Sequence, residues 1–338
     1  MNKLIEKTKE IRPLLYYLES IDIEYRNTLN LPNELTFGVE IEFDRLRYET
    51  VEYLFLEHLL PSFLTGKYYK KNEEEYKTWI YTEEQTIDPY YGCEIDSSIL
   101  IDDKKCWNEL RIMCNDLKNF NAKISPKCAG HIHIGSHILT KYEDYETLIK
   151  IWLVYEPIIY RFGYGMDTKP RESIHRFARS MNYKPLKEID KVKKDKFFLY
   201  EILNILCYIE NDDYNRNYGI NLLNINPEIG FDYRNTIEFR NPNGTLEPNI
   251  WQNNVNFFSK MLLAIANNKI DLDYLNYRFH NLASNHNIDS FNNIHIKDAI
   301  ELSDIIFDDE LDKMYFLKQY FKLFEGVRLP KKLQKIMK

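Results

Sequence analysis

Residues 35–43, Leu35-Thr36-Phe37-Gly38-Val39-Glu40-Ile41-Glu42-Phe43, alternate without a slip. Leu35, Phe37, Val39, Ile41 and Phe43 fall on one side of an extended chain, and Thr36, Gly38, Glu40 and Glu42 on the other. This period of two predicts a strand with one apolar face. Two distant stretches repeat it. In CAGHIHIG (128–135) Ile132 and Ile134 oppose His131 and His133. In RNTIEFRNPNGTL (234–246) Ile237 and Phe239 oppose Thr236, Glu238 and Arg240, and the run ends in an Asn-Pro-Asn-Gly turn. Helical spacing joins Trp107, Leu110, Cys114 and Leu117 within 107–120. Helices are also predicted over 142–162, with Pro157 marking a place for a kink, over 251–266, and over most of 298–326. Residues 1–34 read as imperfectly helical with a restart at Pro13, and 163–215 as irregular and charged, with KEIDKVKKDK exposed. Strands and helices mix without βαβ alternation, which predicts an α+β fold.

The three strands share a chemical feature. Each places ionisable side chains opposite its apolar face: Glu40 and Glu42, His131 and His133, Glu238 and Arg240. Side chains at i and i+2 of a strand are co-facial and about 7 Å apart. If the strands lie in one sheet with these faces aligned, carboxylates and imidazoles converge. Clustered carboxylates raise one another's pKa, and a divalent cation is the usual compensation. Oxygen ligands with one imidazole suit Mg²⁺ or Mn²⁺ better than zinc. Taken singly, each motif has a plainer account: a half-solvated strand for E-x-E, ordinary exposure for H-x-H, an ion pair for E-F-R. Their joint occurrence favours a cation site without naming a reaction. Glycine adds to this, because only 11 occur in the chain and two of the three strands contain them.

Composition narrows the classes. The 338 residues suit one large or two ordinary domains, with 44 % apolar and 29 % charged residues, a globular balance. A net charge of −7 gives no footprint for nucleic acid or an anionic membrane. No apolar run approaches the ~20 residues of a membrane span. The N-terminal residues lack the apolar stretch of a signal peptide, so a cytoplasmic location is expected. The five cysteines form no C-x-x-C pair, which argues against a zinc ribbon or a disulfide framework. No glycine-rich phosphate loop, G-x-S-x-G elbow or H-E-x-x-H helix occurs. A bound nucleotide would therefore have its phosphates held by metals and arginines.

Four short blocks, in order, resemble the amidoligase family, a branch of the glutamine synthetase-like carboxylate–amine ligase superfamily. Phe37–Phe43 resembles its opening G-x-E-x-E strand, and Gly92-Cys93-Glu94-Ile95-Asp96-Ser97 its G-x-E-[IL]-x-S block. Residues 128–135 resemble its C-G-x-H-x-H-x-G block with the first glycine displaced by one. Thr236–Arg240, continuing to Gly244-Thr245-Leu246, resembles its T-[IV]-E-F-R…G-T-L block. The resemblance spans about 36–262. It implies a curved antiparallel sheet with a polar concave face, packed by helices, holding ATP and two or three Mg²⁺ (or Mn²⁺). It divides the chain into an N-terminal segment (1–34), a catalytic domain (35–268) and a C-terminal helical segment (269–338).

The resemblance further implies an ADP-forming ligase that activates a carboxylate as an acyl phosphate and joins it to an amine or ammonia. Its substrates would be small molecules or peptides. Glu40, Glu42, Glu94, His131 and Glu238 would be metal ligands, Arg240 would contact the transferring phosphate, and His133 would act as a catalytic or supporting group. The acidic block expected before G-x-E is replaced by Glu84-Gln85-Thr86-Ile87, which makes Glu84 a further metal candidate with Asp88 and Asp96 as substitutes. Arg171, Arg176 and Arg179 form either a solvated loop or a flap that meets phosphate, with Arg179 singled out for the nucleotide. Asn221 and Asn224 read as structural residues of a strand beside 234–240, Cys128 as a small buried thiol, and Trp79, Trp107, Trp152 and Trp251 as core anchors. Other functions of different class are a phosphotransferase of the same fold, a metal-dependent hydrolase, and a non-catalytic metal- or nucleotide-binding domain. The terminal segments are left to cover the core, mediate self-association into a homo-oligomer or shape substrate choice.

Overall fold

The structure is a computed structural model and describes residues 13–66, 78–84, 86–87, 92–181, 186–195, 197–208, 217–225, 235–282, 291 and 294–322. Helical residues 13–20 form α1. The chain continues through β1 (Thr36–Phe43), α2 (Tyr48–Leu56), β2 (Leu64–Gly66), β3 (Trp79–Glu83), β4 (Cys93–Asp96), β5 (Leu100–Ile101), α3 (Lys104–Asn119) and β6 (Gly130–Gly135). It then passes through α4 (Tyr142–Gly163), α5 (Ile174–Phe177), α6 (Phe198–Tyr208), β7 (Ile220–Asn221), β8 (Thr236–Phe239), α7 (Pro248–Ala266), α8 (Leu272–His280), α9 (Ile296–Ile306) and α10 (Glu310–Phe321). The α+β class is that predicted.

Among the described residues, eight strands form one sheet in the order β2-β3-β4-β1-β6-β8-β7, with β5 paired to β1. Every pairing is antiparallel except β2 with β3. That parallel pair departs from an all-antiparallel sheet. Residues 67–78 separate its strands, about the dozen that a parallel crossover needs. The registers decide what shares a face. Glu40 stands opposite Asp96 on one side and His131 on the other, and Glu42 stands opposite Glu94. His133 stands opposite Glu238, which in turn stands opposite Asn221. The ionisable faces of β1, β4, β6 and β8 are therefore one continuous surface.

The opposite face builds the core. Phe37, Val39, Ile41, Phe43, Ile132, Ile134, Ile237 and Phe239 are all buried. Phe239 stacks on Phe258 of α7 with centroids 4.0 Å apart and on Trp152 of α4 at 6.0 Å, so both helices cover this face near β8. The four tryptophans are fully buried. α4 runs unbroken through Pro157, and α7 is buried on its polar side as well as its apolar one, through Gln252, Asn253, Asn254 and Asn256.

Two segments differ from expectation. Residues 21–34 are not helical. The Asp102 carboxylate accepts the amides of Leu29 and Leu31, each at 2.8 Å, and holds this stretch as coil. Within 163–215, an 11-residue helix, α6, buries Phe198, Ile202 and Leu203. Its i, i+4 apolar spacing was the available signal. Residues 1–12 and 323–338 of the terminal segments lie outside the described residues.

The Asn-Pro-Asn-Gly turn wedges against β6. Pro242 O accepts the Gly130 amide at 3.1 Å, and the Gly244 amide reaches Cys128 O at 2.9 Å. A Cβ on Gly130 would stand 2.8 Å from Asn243 O and 2.9 Å from the Trp251 ring, which is why the strand begins with glycine there.

Candidate functional site

Glu40 is the hub of the polar face. Its Oε2 accepts from His131 Nδ1 at 2.6 Å and its Oε1 from His133 Nε2 at 2.8 Å. A carboxylate only accepts, so each of those nitrogens carries the hydrogen. His133 Nδ1 lies 3.2 Å from Thr236 Oγ1. His131 Nε2 is buried and meets no hydrogen-bond partner among the described residues. Glu238 is held from two sides: Asn221 Nδ2 donates to its Oε2 at 2.7 Å, and an Arg240 guanidinium nitrogen pairs with its Oε1. Arg240 Nε also donates to Phe177 O at 3.0 Å, tying α5 to the site. Glu42 Oε2 accepts the Ala129 amide at 2.5 Å.

The electrostatics divide the face in two. Burial alone would raise the Glu40 carboxyl, but His133 and His131 outweigh it and hold it well below the usual carboxylate range. Burial acts likewise on Glu238, and Arg240 with His133 overcomes it, so this carboxyl is also lowered. Toward β4 the balance reverses. Burial, then Asp96, Glu40, Glu42 and Glu84, push the Glu94 carboxyl well above its ordinary value. Burial raises Glu42 despite His131 and Arg171. Glu40 and Glu238 are thus matched by basic groups of β6 and its neighbour Arg240, and Glu42 and Glu94 are not.

Among the described residues, two ligand sets can be drawn. One oxygen each of Glu40 and Glu94 and a His131 nitrogen lie within 4.8 Å of one another, as do atoms of Glu40, His133 and Glu238. Carboxylate oxygens with an imidazole match the donors that Mg²⁺ or Mn²⁺ takes, and the partnerless His131 Nε2 is a buried lone pair with nothing else to bind. The residues present fit divalent cations.

Seven of the residues picked from sequence are thus gathered: Glu40, Glu42, Glu94, His131, His133, Glu238 and Arg240. Asp96, on β4 opposite Glu40, joins them. Glu84 follows β3 in a turn where its carboxylate takes the Thr86 amide at 2.8 Å, and it reaches the cluster through its field on Glu94 and Glu42. Asp88 lies outside the described residues. Arg179 pairs its backbone with Asn217 and Gly219, and its guanidinium lies over the Tyr218 ring at 5.3 Å. Arg176 is exposed over Phe177. Cys128 is buried beside Ser125, and burial pushes its thiol up to about 11, as for an inert core cysteine.

Two residues gain a role that sequence did not give them. Asn221, read as structural, reaches Glu238. Its register on the polar side of YGINLLNI was the signal. Arg171 is buried and not in solvent: it donates to Ser173 Oγ at 3.0 Å, Pro242 O at 2.7 Å and Arg240 O at 2.8 Å.

The model of a protein family described as putative amidoligase enzyme matches residues 33–262, more than half of the chain. The chain belongs to this amidoligase family. The match starts just before β1 and ends within α7, so it takes in every residue of the cluster. The family's description is that of a ligase enzyme. A search of curated proteins gives no match. Among the described residues, no helix of this amidoligase-family chain is long and apolar enough to cross a membrane.

Proposed function

We propose that the protein is an ATP-dependent, ADP-forming carboxylate–amine ligase that works with two or three Mg²⁺, or Mn²⁺, on a glutamine synthetase-like sheet. The observation that carries this is Glu40, shared between two cation-fitting triads with Arg240 at their border, in a member of the amidoligase family. Glu40, Glu94, His131, His133 and Glu238 would hold the cations, with Glu42 in support. Bound cations supply charge neutralisation that lets one anion approach another.

A carboxylate is anionic and resonance-stabilised, hence a poor electrophile. In the proposed reaction its oxygen attacks the γ-phosphorus of ATP, the bond to the ADP oxygen breaks, and an acyl phosphate results. The amine lone pair then attacks the acyl carbon, the C–O bond to phosphate breaks, and the amine proton leaves to a base. Arg240 is placed to offset charge on the transferring phosphoryl group, a contribution of about 3–4 kcal/mol for a single well-aimed donor. Its Nε contact with Phe177 O fixes the stem while the guanidinium faces the carboxylates. The acyl donor is a small-molecule or peptide carboxylate, and the acceptor an amine or ammonia.

Calorimetry with a non-hydrolysable ATP analogue and Mg²⁺ tests the reading. Binding should be measurable in the native chain and lost in Glu40→Ala and Glu238→Ala. Screening of acid and amine pairs should then release phosphate only when both are present. Phosphate retained on a nitrogen acceptor would identify a phosphotransferase, and no ATP binding at all would exclude both.

A further inference from the structure

The two ligand sets differ in readiness. In the Glu40–Glu94–His131 set, His131 Nε2 is buried without a partner, and the Glu94 carboxylate accepts no hydrogen bond among the described residues. In the Glu40–His133–Glu238 set, each oxygen of Glu238 is taken, one by Asn221 and the other by Arg240. Glu40 contributes to both sets, so it does not distinguish them. A cation entering the first set meets unneutralised carboxylate. One entering the second must compete with a guanidinium already in contact with its ligand, at a position only 4–5 % exposed and hence weakly screened.

We propose that the Arg240–Glu238 ion pair is a latch that orders cation loading and ties it to the release of Arg240. The first cation binds at Glu40, Glu94 and His131 and leaves the latch closed. The second displaces the guanidinium from Glu238. Asn221 keeps its bond to the other oxygen, so Glu238 stays on the sheet and Arg240 is the group that moves. Arg240 is then free for an anion only when both cations are present. Phosphate arriving without its full complement of metal meets an arginine that is already neutralised. This inference rests on the cation reading of the site given above.

Mn²⁺ titration of the nucleotide-free protein, followed by calorimetry and by the electron paramagnetic resonance of free Mn²⁺, tests it without reference to turnover. The native chain should bind in two steps at least about tenfold apart, and Glu94→Gln should remove the tighter one. Arg240→Gln and Arg240→Met should tighten the weaker step by about tenfold and the tighter step by markedly less, as expected for loss of a cation paired directly with Glu238 and acting on the shared Glu40 only through its field. In the ¹⁵N-labelled native protein the Arg240 Nε–Hε signal should shift with the second equivalent of Mg²⁺ and not with the first. This measurement stands even if the variants fail to fold. An unchanged or weakened second step in both variants, a single class of equal sites, or an Arg240 shift on the first equivalent would overturn the latch while the cation reading stands. A native protein that takes up no Mn²⁺ would overturn the cation reading itself.

Discussion

His131 donates from Nδ1 to Glu40 Oε2 at 2.6 Å, so that Nε2 of this buried ring is the nitrogen that bears the lone pair in the neutral form. This is the arrangement in which a carboxylate fixes the tautomer of a metal-binding histidine. Here the orienting carboxylate is itself a potential ligand, so the contact fixes both partners. Among the described residues nothing accepts from the remaining nitrogen or donates to it.

That nitrogen can be tested by removal. His131→Ala should weaken Mn²⁺ binding by at least about 10–100-fold, since even loss of a supporting contact to a ligand has that effect. His131→Asn should do the same, its amide being too short to serve both Glu40 and the cation. Titration calorimetry reads the affinity, and a melting curve shows that the fold persists. Affinity unchanged in both variants would remove His131 from the ligand set.

Arg171 makes a second prediction. Burial lowers its guanidinium to about 10, yet among the described residues no carboxylate pairs with it directly; it is spread over the carbonyls of Arg240 and Pro242 and the Ser173 hydroxyl. Its planar fork is what lets one side chain serve both carbonyls. Arg171→Met would strand Arg240 O, while Pro242 O keeps the Gly130 amide and the Ser173 hydroxyl keeps its bond to Lys127 O. The expected loss is about 2–4 kcal/mol, with a smaller loss in Arg171→Lys. Urea unfolding measures both, and a change below about 0.5 kcal/mol would mean that this clamp does not hold the end of β8.

The ease of reading the site from sequence has a physical cause. β1, β6 and β8 have one face against the core and the other among ionisable groups, so their alternation survives in the sequence even though both faces of β6 are buried. Register then follows, because a slip of one residue would turn every carboxylate into the core. What was not legible depends on partners far along the chain. The coil at 21–34 exists because Asp102 captures two of its amides across more than seventy residues. Arg171 reads like any loop arginine until the turn at 240–243 comes to meet it. The alternation of YGINLLNI puts Asn221 on a polar face, but only the pairing with β8 brings it to Glu238.

Gly130 is the point where the Asn-Pro-Asn-Gly turn, the Trp251 ring and β6 approach most closely. In Gly130→Ala the new methyl would stand 2.8 Å from a backbone oxygen and 2.9 Å from a buried indole, neither of which can yield cheaply. The expected destabilisation is about 1–3 kcal/mol, with a weakened cation affinity because His131 is the next residue. Gly38→Ala is the control. Its Cβ would meet Ser97 Oγ at 3.4 Å and His133 Cβ at 3.9 Å, which is ordinary contact, so its melting temperature should change less. Equal losses in the two variants would mean that close approach at Gly130 is not the cause.

Glu156 gives the fold a pH dependence of its own, remote from the cluster. It is fully buried in α4 and accepts from Trp152 Nε1 at 3.1 Å, from the Met181 amide at 2.7 Å and from Ser180 Oγ. Burial is the larger influence and pushes its carboxyl up to about 8, while the three donors pull it down. In the unfolded chain it titrates near 4.5. Between these values the folded protein holds a proton that the unfolded chain has released. The stabilising contribution is therefore complete below the lower pKa and is lost as pH climbs through the upper one, with a slope of up to about 1.4 kcal/mol per pH unit. Glu156→Gln keeps an oxygen for Trp152 and Met181, offers its amide to the Ser180 hydroxyl, and cannot titrate. Urea unfolding from pH 5 to pH 8 should show the native protein losing ground to the variant step by step. Parallel stability curves across that range would mean that Glu156 is ionised throughout, its three donors outweighing its burial.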